Sequence, residues 1–275
     1  MNKTKMDDIH FQVTKADGNV TKKGSIVLIH GLAASNFDWL DVIPYLEKSG
    51  YDSYALDLLG HGQSIKPSNI NAYTVKQVYS TFESWITDLN LDQPLTIIGH
   101  SLGGYIAIKY SLNHPRNVAS LILCDPFYTL DQLPFFLRIN YKYSIIDTTL
   151  VKHIPEWIIR QLVDLTSLSI RNGYILTENV RKQTAADYKR ARPEIFNIIH
   201  TVEDLQPFLH GLNLPTIVIW GSKDGTLSTS SFPKLIKQLP QATGREINGA
   251  GHVPHQSHPG EFSQYVLEFL KKINT

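Results

Sequence analysis

The strongest constraint on this chain is a short stretch in its first half, residues 95–104, with the sequence LTIIGHSLGG. Its first four residues form an apolar run rich in β-branched side chains, which is typical of a buried strand. Ser101 follows, flanked by Gly99 and Gly103. Beyond it, apolar residues recur close to the 3.6-residue period of a helix. The stretch therefore predicts a strand, a sharp turn at Ser101, and a helix that begins at once.

This order is the nucleophile-elbow pattern G-x-S-x-G. A serine on such a turn has a strained backbone, and a side chain at either flanking glycine would collide with the adjoining strand or helix. The amide dipoles of the following helix would stabilise an anion formed beside Ser101. The bare pattern also fits a buried serine in an ordinary strand-to-helix turn. The flanking strand and helix favour a nucleophile.

Charge and composition limit the kinds of partner. The chain has 275 residues with 26 basic and 25 acidic side chains, a formal net charge of +1. This balance generates no field that would hold nucleic acid or an anionic membrane, so we expect a small-molecule substrate. With 42% hydrophobic residues, the composition is that of a globular protein with one large core.

The single cysteine and the N-terminal sequence indicate the compartment. Cys124 lies in an apolar run and cannot form an internal disulfide, which fits a reducing environment. The first residues are polar, unlike a signal peptide, and no apolar run reaches the roughly 18 residues of a membrane span. We therefore expect a cytoplasmic protein with no membrane contact.

Strand and helix patterns alternate along most of the chain. Residues 9–15 alternate as a strand, and Asp17 with Gly18 marks a hairpin turn, which predicts an antiparallel edge. Further strands are predicted at residues 25–29, 51–56, 95–98, 118–124, 216–220 and 245–247. Helical patterns separate them, so we predict a parallel sheet covered on both faces.

The alternation stops between residues 127 and 210, where the pattern is helical throughout. We interpret residues 1–126 and 211–275 as the core and residues 127–210 as a helical cap, or lid. Phe136 and Trp157 in this segment are candidates for the wall of a substrate pocket. Aromatic residues at helical spacing are more often simply the core of the cap.

A serine nucleophile needs a base, and the base needs a carboxylate to orient it. His252 lies in a glycine-rich loop after the last short strand, and Asp224 follows the strand before that. Loops at the carboxyl ends of parallel strands emerge at one edge of the sheet, so these residues can converge on Ser101. The order Ser, Asp, His is the one expected for this elbow. Asp125, also after a strand, is the alternative carboxylate.

Five segments of the chain, in the same order as in the family, resemble motifs of the α/β-hydrolase superfamily. The resemblance is to its capped group, which includes carboxylesterases, carbon-carbon bond hydrolases, epoxide hydrolases and cofactor-free haloperoxidase-like enzymes. The segments are His30 with Gly31, residues 57–64, residues 99–104, residues 220–224, and Gly251 with His252. The resemblance implies an α/β fold with a mostly parallel eight-stranded sheet, helices on both faces and a helical cap between strands 6 and 7. It implies no cofactor. The elbow serine argues against the dehalogenases and epoxide hydrolases, whose nucleophile is aspartate.

Carried over to this chain, the resemblance makes Ser101 the nucleophile, His252 the general base and Asp224 the orienting acid. It assigns the oxyanion hole to the backbone N–H groups of Leu32 and Leu102. One departure concerns residues 225–228: relatives often have a proline shortly after the acid, whereas this chain has Gly-Thr-Leu-Ser.

Other histidines have less definite roles. His30 is expected to brace the oxyanion turn, and His61 and His100 to rim or brace the site. His30 and His100, with Phe136 and Trp157, are also candidate substrate-binding residues. His255 and His258 are expected at the surface. No spacing of histidines and carboxylates suggests a metal site, so we expect no metal.

These features predict a serine hydrolase that cleaves a small, mostly apolar carboxylic ester through an acyl-enzyme. One alternative is hydrolysis of a carbon-carbon bond in a β-diketone-like compound by the same residues. Another is a small-molecule receptor that keeps the fold but turns over slowly. Neither the substrate nor the oligomeric state follows from the sequence, because specificity depends on the shape of the pocket.

Overall fold

The computed structural model of the chain describes residues 8–135, 138, 155, 158 and 176–274. Phe136, Trp157 and much of the predicted cap lie outside these residues. Within them, no helix is both long enough and apolar enough to cross a bilayer.

The core of the molecule is a single sheet of seven strands over the described residues. The strands are β1 (Phe11–Thr14), β2 (Gly24–Ile29), β3 (Tyr51–Leu56), β4 (Leu95–His100), β5 (Val118–Cys124), β6 (Thr216–Gly221) and β7 (Ala242–Ile247). Their spatial order is β1-β3-β2-β4-β5-β6-β7. All neighbours are parallel except β1, which runs antiparallel to β3. The predicted mostly parallel α/β sheet is confirmed.

Helices cover both faces of this sheet. They are α1 (Ile43–Lys48), α2 (Val75–Asp88), α3 (Leu102–Asn113), α4 (Glu178–Arg190), α5 (Asn197–His200), α6 (Ser231–Gln238), α7 (Pro254–Ser257) and α8 (Pro259–Ile273). Alternate residues of a strand point to opposite faces. Val27 and Ile29 accordingly pack in one buried cluster with α2, α3 and α6, whereas Ile26 and Leu28 pack in a second with α1 and α8.

The N-terminal part of the sheet differs from the sequence prediction in two ways. The expected eighth strand is not present in the described residues, because only β1 precedes β2. The expected hairpin at Asp17 and Gly18 does not pair β1 with β2. Both edges of β2 are already occupied by β3 and β4, so β1 adds to the free edge of β3, with Phe11 opposite Leu56.

The segment predicted as a cap lies in the chain between β5 and β6. Its last part packs on the core: Ile195, Ile198 and Leu209 lie in the same buried cluster as α2 and α3. The boundary at residue 210 stays a prediction from the sequence. The position of the insertion matters because β4, β5, β6 and β7 all end at the edge from which the candidate site is built.

Candidate active site

Ser101 occupies the turn between β4 and α3 with a strained backbone. Its φ is 50° and its ψ is −114°, a region that residues with side chains rarely adopt. A Cβ at Gly99 would overlap the backbone of Gly103, and one at Gly103 would overlap the carbonyl oxygen of Ile29. The two glycines of the sequence motif therefore permit the close approach of strand, turn and helix that exposes Ser101.

His252 connects Ser101 to Asp224. Its Nε2 lies 3.1 Å from Ser101 Oγ, and its Nδ1 lies 2.8 Å from Asp224 Oδ2. A carboxylate only accepts, so Nδ1 carries a proton and Nε2 of the neutral ring is free to accept the serine proton. The Asp224 side chain is fully buried, whereas the His252 side chain is 14% exposed. The structure thus brings together the three residues that the sequence singled out.

The loop after Asp224 wraps back onto its carboxylate. Oδ1 accepts the backbone N–H groups of Thr226 at 2.8 Å and Leu227 at 3.0 Å. The loop therefore orients the acid without the proline common in relatives. Burial opposes ionisation of Asp224, but the adjacent His252 imidazole and the N–H of Leu227 hold the pKa of the carboxyl below its ordinary value.

Asp125, the alternative acid, lies beside this group without bonding His252. It follows β5 with a φ of 40° and is completely buried. Its Oδ1 accepts the N–H of Gly221 at 3.1 Å. Burial, and next the charge of Asp224, raises the pKa of Asp125 well above its ordinary value. Asp125 therefore holds its proton more tightly than Asp224 does, which favours Asp224 as the charged partner of His252.

The predicted oxyanion amides lie on the two segments that meet at the elbow. Leu102 is the first residue of α3, so its N–H has no partner within the helix. Leu32 follows Gly31, and a Cβ atom added to Gly31 would lie 3.3 Å from the Cβ of Ser101. The backbone of residue 31 thus packs directly against the elbow, and the assignment of the oxyanion hole to Leu32 and Leu102 stays a prediction from the sequence.

His30 is held inside the protein by the main chain. Its Nε2 accepts the N–H of Leu58 at 2.9 Å, so Nδ1 carries the proton and donates to the carbonyl oxygen of Gly31 at 2.7 Å. Burial lowers the pKa of His30, which keeps it neutral. With both ring nitrogens engaged, this geometry favours a bracing role for His30 over substrate contact.

His100 and His61 are also buried. His100 Nε2 donates to the carbonyl oxygen of His252 at 2.9 Å and so ties the elbow strand to the His252 loop. His61 Nδ1 lies 2.9 Å from the carbonyl oxygen of Leu59, and burial lowers the pKa of this ring to about 3. Both histidines brace the neighbourhood of the site.

The expectation that His255 lies at the surface is wrong. Helix α7 turns this side chain inward, where it is completely buried between the rings of Trp39 and Phe262. Its position after His252 suggested a surface residue, and the sequence carries no local signal for this burial because Trp39 and Cys124, which contact His255, lie far away in the chain. His258 is partly buried.

Comparison with known proteins agrees with the fold. Residues 24–151 match the family model described as alpha/beta hydrolase fold. The chain is 26% identical to the uncharacterized hydrolase YugF of Bacillus subtilis, over 90% of each chain. It is 27% identical to 2-hydroxy-6-oxo-6-(2'-aminophenyl)hexa-2,4-dienoic acid hydrolase of Metapseudomonas resinovorans, over 90% of this chain and 84% of that one.

Among solved structures, a thermophilic esterase from Thermogutta terrifontis superposes with a TM-score of 0.79 at 20% identity, over 97% of this chain and 94% of the esterase. At this identity the likeness bears on the fold alone. The family match, the mostly parallel sheet and the serine turn at the end of β4 agree with this likeness, and the chain has the α/β-hydrolase fold.

Proposed function

We propose that this hydrolase is a carboxylesterase that cleaves small, mostly apolar esters through an acyl-enzyme on Ser101. The observation that carries the proposal is the position of His252, whose two ring nitrogens lie 3.1 Å from Ser101 Oγ and 2.8 Å from Asp224 Oδ2. A nucleophile, a base and an orienting carboxylate in this order are what acyl transfer requires.

In the proposed reaction, Ser101 Oγ attacks the ester carbonyl while His252 Nε2 takes the hydroxyl proton. The ionised Asp224 stabilises the imidazolium that forms, and the N–H groups of Leu32 and Leu102 bind the oxyanion. The tetrahedral intermediate then expels the alkoxide, which leaves as alcohol with the proton from His252. Water attacks the acyl-serine by the same route and releases the carboxylic acid.

The chemistry near the site supports an uncharged substrate. Ser101 is followed by a buried leucine, and the N–H of Phe127 binds the carbonyl oxygen of Ser101 at 3.0 Å, which fixes this aromatic residue beside the elbow. The charge of the whole chain is nearly balanced. Neither these residues beside Ser101 nor the overall charge provides a positive charge that would bind an anionic substrate.

Hydrolysis of a carbon-carbon bond is the second candidate, because one relative at 27% identity is named as a dienoic acid hydrolase. The same Ser101, His252 and Asp224 would serve that reaction, so the arrangement of these side chains does not distinguish ester hydrolysis from carbon-carbon bond hydrolysis. Kinetics with a ketone substrate of the β-diketone type and with an ester of similar size distinguish the two reactions. The higher kcat/KM then identifies the reaction.

Labelling with a fluorophosphonate tests the nucleophile. We expect the protein to be labelled at Ser101, and Ser101→Ala to lose both labelling and ester turnover, the latter by roughly 10⁶-fold in kcat. Ser111→Ala is the matched control, because Ser111 lies on the same helix with its hydroxyl bound to the carbonyl oxygen of Ala107 at 2.8 Å. Equal labelling of Ser101→Ala and the wild type would show that the nucleophile is another residue.

Steady-state kinetics with a panel of nitrophenyl esters tests whether the protein is an enzyme. We expect sustained release of nitrophenol over many turnovers. A single burst that matches the protein concentration, followed by almost no release, would instead indicate the slow-turnover receptor.

A further inference from the structure

Three buried side chains from distant segments meet behind the His252 loop. Asp38 lies on the 3-10 helix Asn36–Trp39, His100 ends β4, and His255 lies on α7. They are 6%, 4% and 0% exposed. Asp38 Oδ2, His100 Nδ1 and His255 Nε2 all lie within 4.8 Å of one another. No spacing in the sequence indicates this cluster, because its members are far apart along the chain.

These three atoms are buried and have no hydrogen-bond partner among the described residues. Buried polar atoms without partners are rare in native proteins and destabilise them. Asp38 Oδ2 is 3.4 Å from His100 Nδ1 and 3.8 Å from His255 Nε2. Donor atoms around a tetrahedral ion with bonds of about 2.0–2.1 Å are separated by about 3.3 Å, close to the first of these spacings.

The remaining polar atom of each side chain is held by a neighbour. His100 Nε2 donates to the carbonyl oxygen of His252 at 2.9 Å, and His255 Nδ1 lies 3.3 Å from Cys124 Sγ. Asp38 Oδ1 accepts from Gln256 Nε2 at 2.9 Å. Ligands of metal ions are typically oriented in this way, by a hydrogen bond at the atom that does not bind the metal.

We propose that Asp38, His100 and His255 bind a divalent transition metal ion, with zinc as the best fit. Two imidazoles and one carboxylate are a common ligand set for Zn²⁺. None of the three side chains belongs to the hydrogen-bonded group of Ser101, His252 and Asp224, so we assign the ion a structural role. It would fix the loop of His252, since His100 bonds the carbonyl oxygen of that residue and His255 follows it on α7.

Because the site is closed, the ion enters as the chain folds, and the test is a refolding experiment. The protein is unfolded in denaturant with a chelator and refolded with or without Zn²⁺. Unbound metal is then removed, and zinc is measured by mass spectrometry. We expect one zinc ion per chain after refolding with zinc, and a higher midpoint of thermal unfolding than in the metal-free protein. Co²⁺ in place of zinc should give the visible absorption of a tetrahedral site.

Asp38→Asn and His255→Gln test the ligands, and each should lose zinc. His61→Gln is the matched control, because His61 is equally buried and its Nε2 also lacks a partner, but it lies outside the cluster. This variant should retain zinc. Zinc retained in both ligand variants would refute the proposal.

The zinc content of the refolded wild-type protein tests the proposed metal site even if the variants do not fold. A refolded wild-type protein without zinc, with the same thermal midpoint in both buffers, would show an ion-free cluster and overturn the proposal. Metal content is read without any substrate, so this result is independent of whether the protein is an esterase.

Discussion

A carboxylate oxygen of Asp125 lies within 4.8 Å of one of Asp224, and both side chains are buried at the ends of the neighbouring strands β5 and β6. Two carboxylates so close together do not ionise together readily, so one retains its proton. His252 bonds Asp224 and favours its charged form, whereas burial keeps Asp125 neutral. The two acids therefore have different roles.

Substitution of each acid by asparagine should reveal this difference. Asp224→Asn keeps the shape of the side chain but favours the wrong tautomer of His252, and we expect kcat on a nitrophenyl ester to fall by about 10⁴. Asp125→Asn replaces a neutral acid by a neutral amide that can still donate to Asp224, so its loss should be far smaller. The opposite ranking would transfer the orienting role to Asp125.

The strained turn at Ser101 should affect stability in a measurable way. Glycine adopts a φ of 50° without the cost that a side chain has there, so Ser101→Gly should be more stable than Ser101→Ala by about 1 kcal/mol. Urea denaturation measures the free energy of unfolding of each variant. At Ser111, inside α3, the order should reverse, because glycine destabilises a helix interior by about 1 kcal/mol. Alanine more stable than glycine at both positions would show that Ser101 stores no strain.

The parts of the site that depend on local sequence could be predicted. The glycines around Ser101 determine a turn whose atoms are all close in the chain. Asp224 and His252 each follow a strand, so the parallel sheet brings them to one edge without any knowledge of side-chain packing. The same reasoning left Asp125 as an alternative, since strand order does not tell which carboxylate reaches the imidazole.

Features that depend on long-range packing could not be predicted. The pairing of β1 with β3 follows from the occupied edges of β2, which no pattern near Asp17 encodes. The burial of His255 depends on Trp39 and Cys124, which come from other parts of the chain. The cluster of Asp38 with His100 and His255 arises from the same packing.

The free energy of unfolding should fall as the pH rises from the pKa of Asp187 in the unfolded chain to its pKa in the folded protein. Burial, and after it the charge of Asp38, raises the pKa of Asp187 on α4 to about 7. A hydrogen bond from Gln183 at 3.0 Å opposes this shift, and so do Ser35 and Arg190. In the unfolded chain an aspartate has a pKa of about 3.9. Between these values only the folded state holds the proton, so the free energy of unfolding should fall by about 1.4 kcal/mol per pH unit and level off above pH 7.

Asp187→Asn cannot ionise, so it should remove this part of the pH dependence and be more stable than the wild type at pH 8. Urea denaturation at pH 5 and pH 8 provides the comparison. Asp88→Asn, at an exposed position of α2, is the control and should leave the difference between the two pH values unchanged. If Asp187→Asn keeps the wild-type difference, Asp187 is ionised throughout this range.

The last prediction concerns the specificity for the acyl chain. The insertion between β5 and β6 leaves the sheet at the edge where Ser101, Asp224 and His252 meet, so we expect it to form the wall of the acyl pocket. Each methylene that enters an apolar pocket contributes about 0.8 kcal/mol, so kcat/KM should rise with chain length for short to medium acyl groups. It should drop abruptly once the pocket is full.

Alanine at Phe136 or Trp157 should move this optimum in at least one case, while labelling of Ser101 by a small phosphonate survives. Tyr45→Ala is the control, because Tyr45 is an exposed aromatic residue on α1, which packs on the other face of the sheet from α2 and α3. Its chain-length profile should match that of the wild type. A profile that neither substitution changes, nor others across residues 127–210, would show that the acyl chain binds elsewhere, and the apolar residues of the insertion would then serve only to pack it on the core.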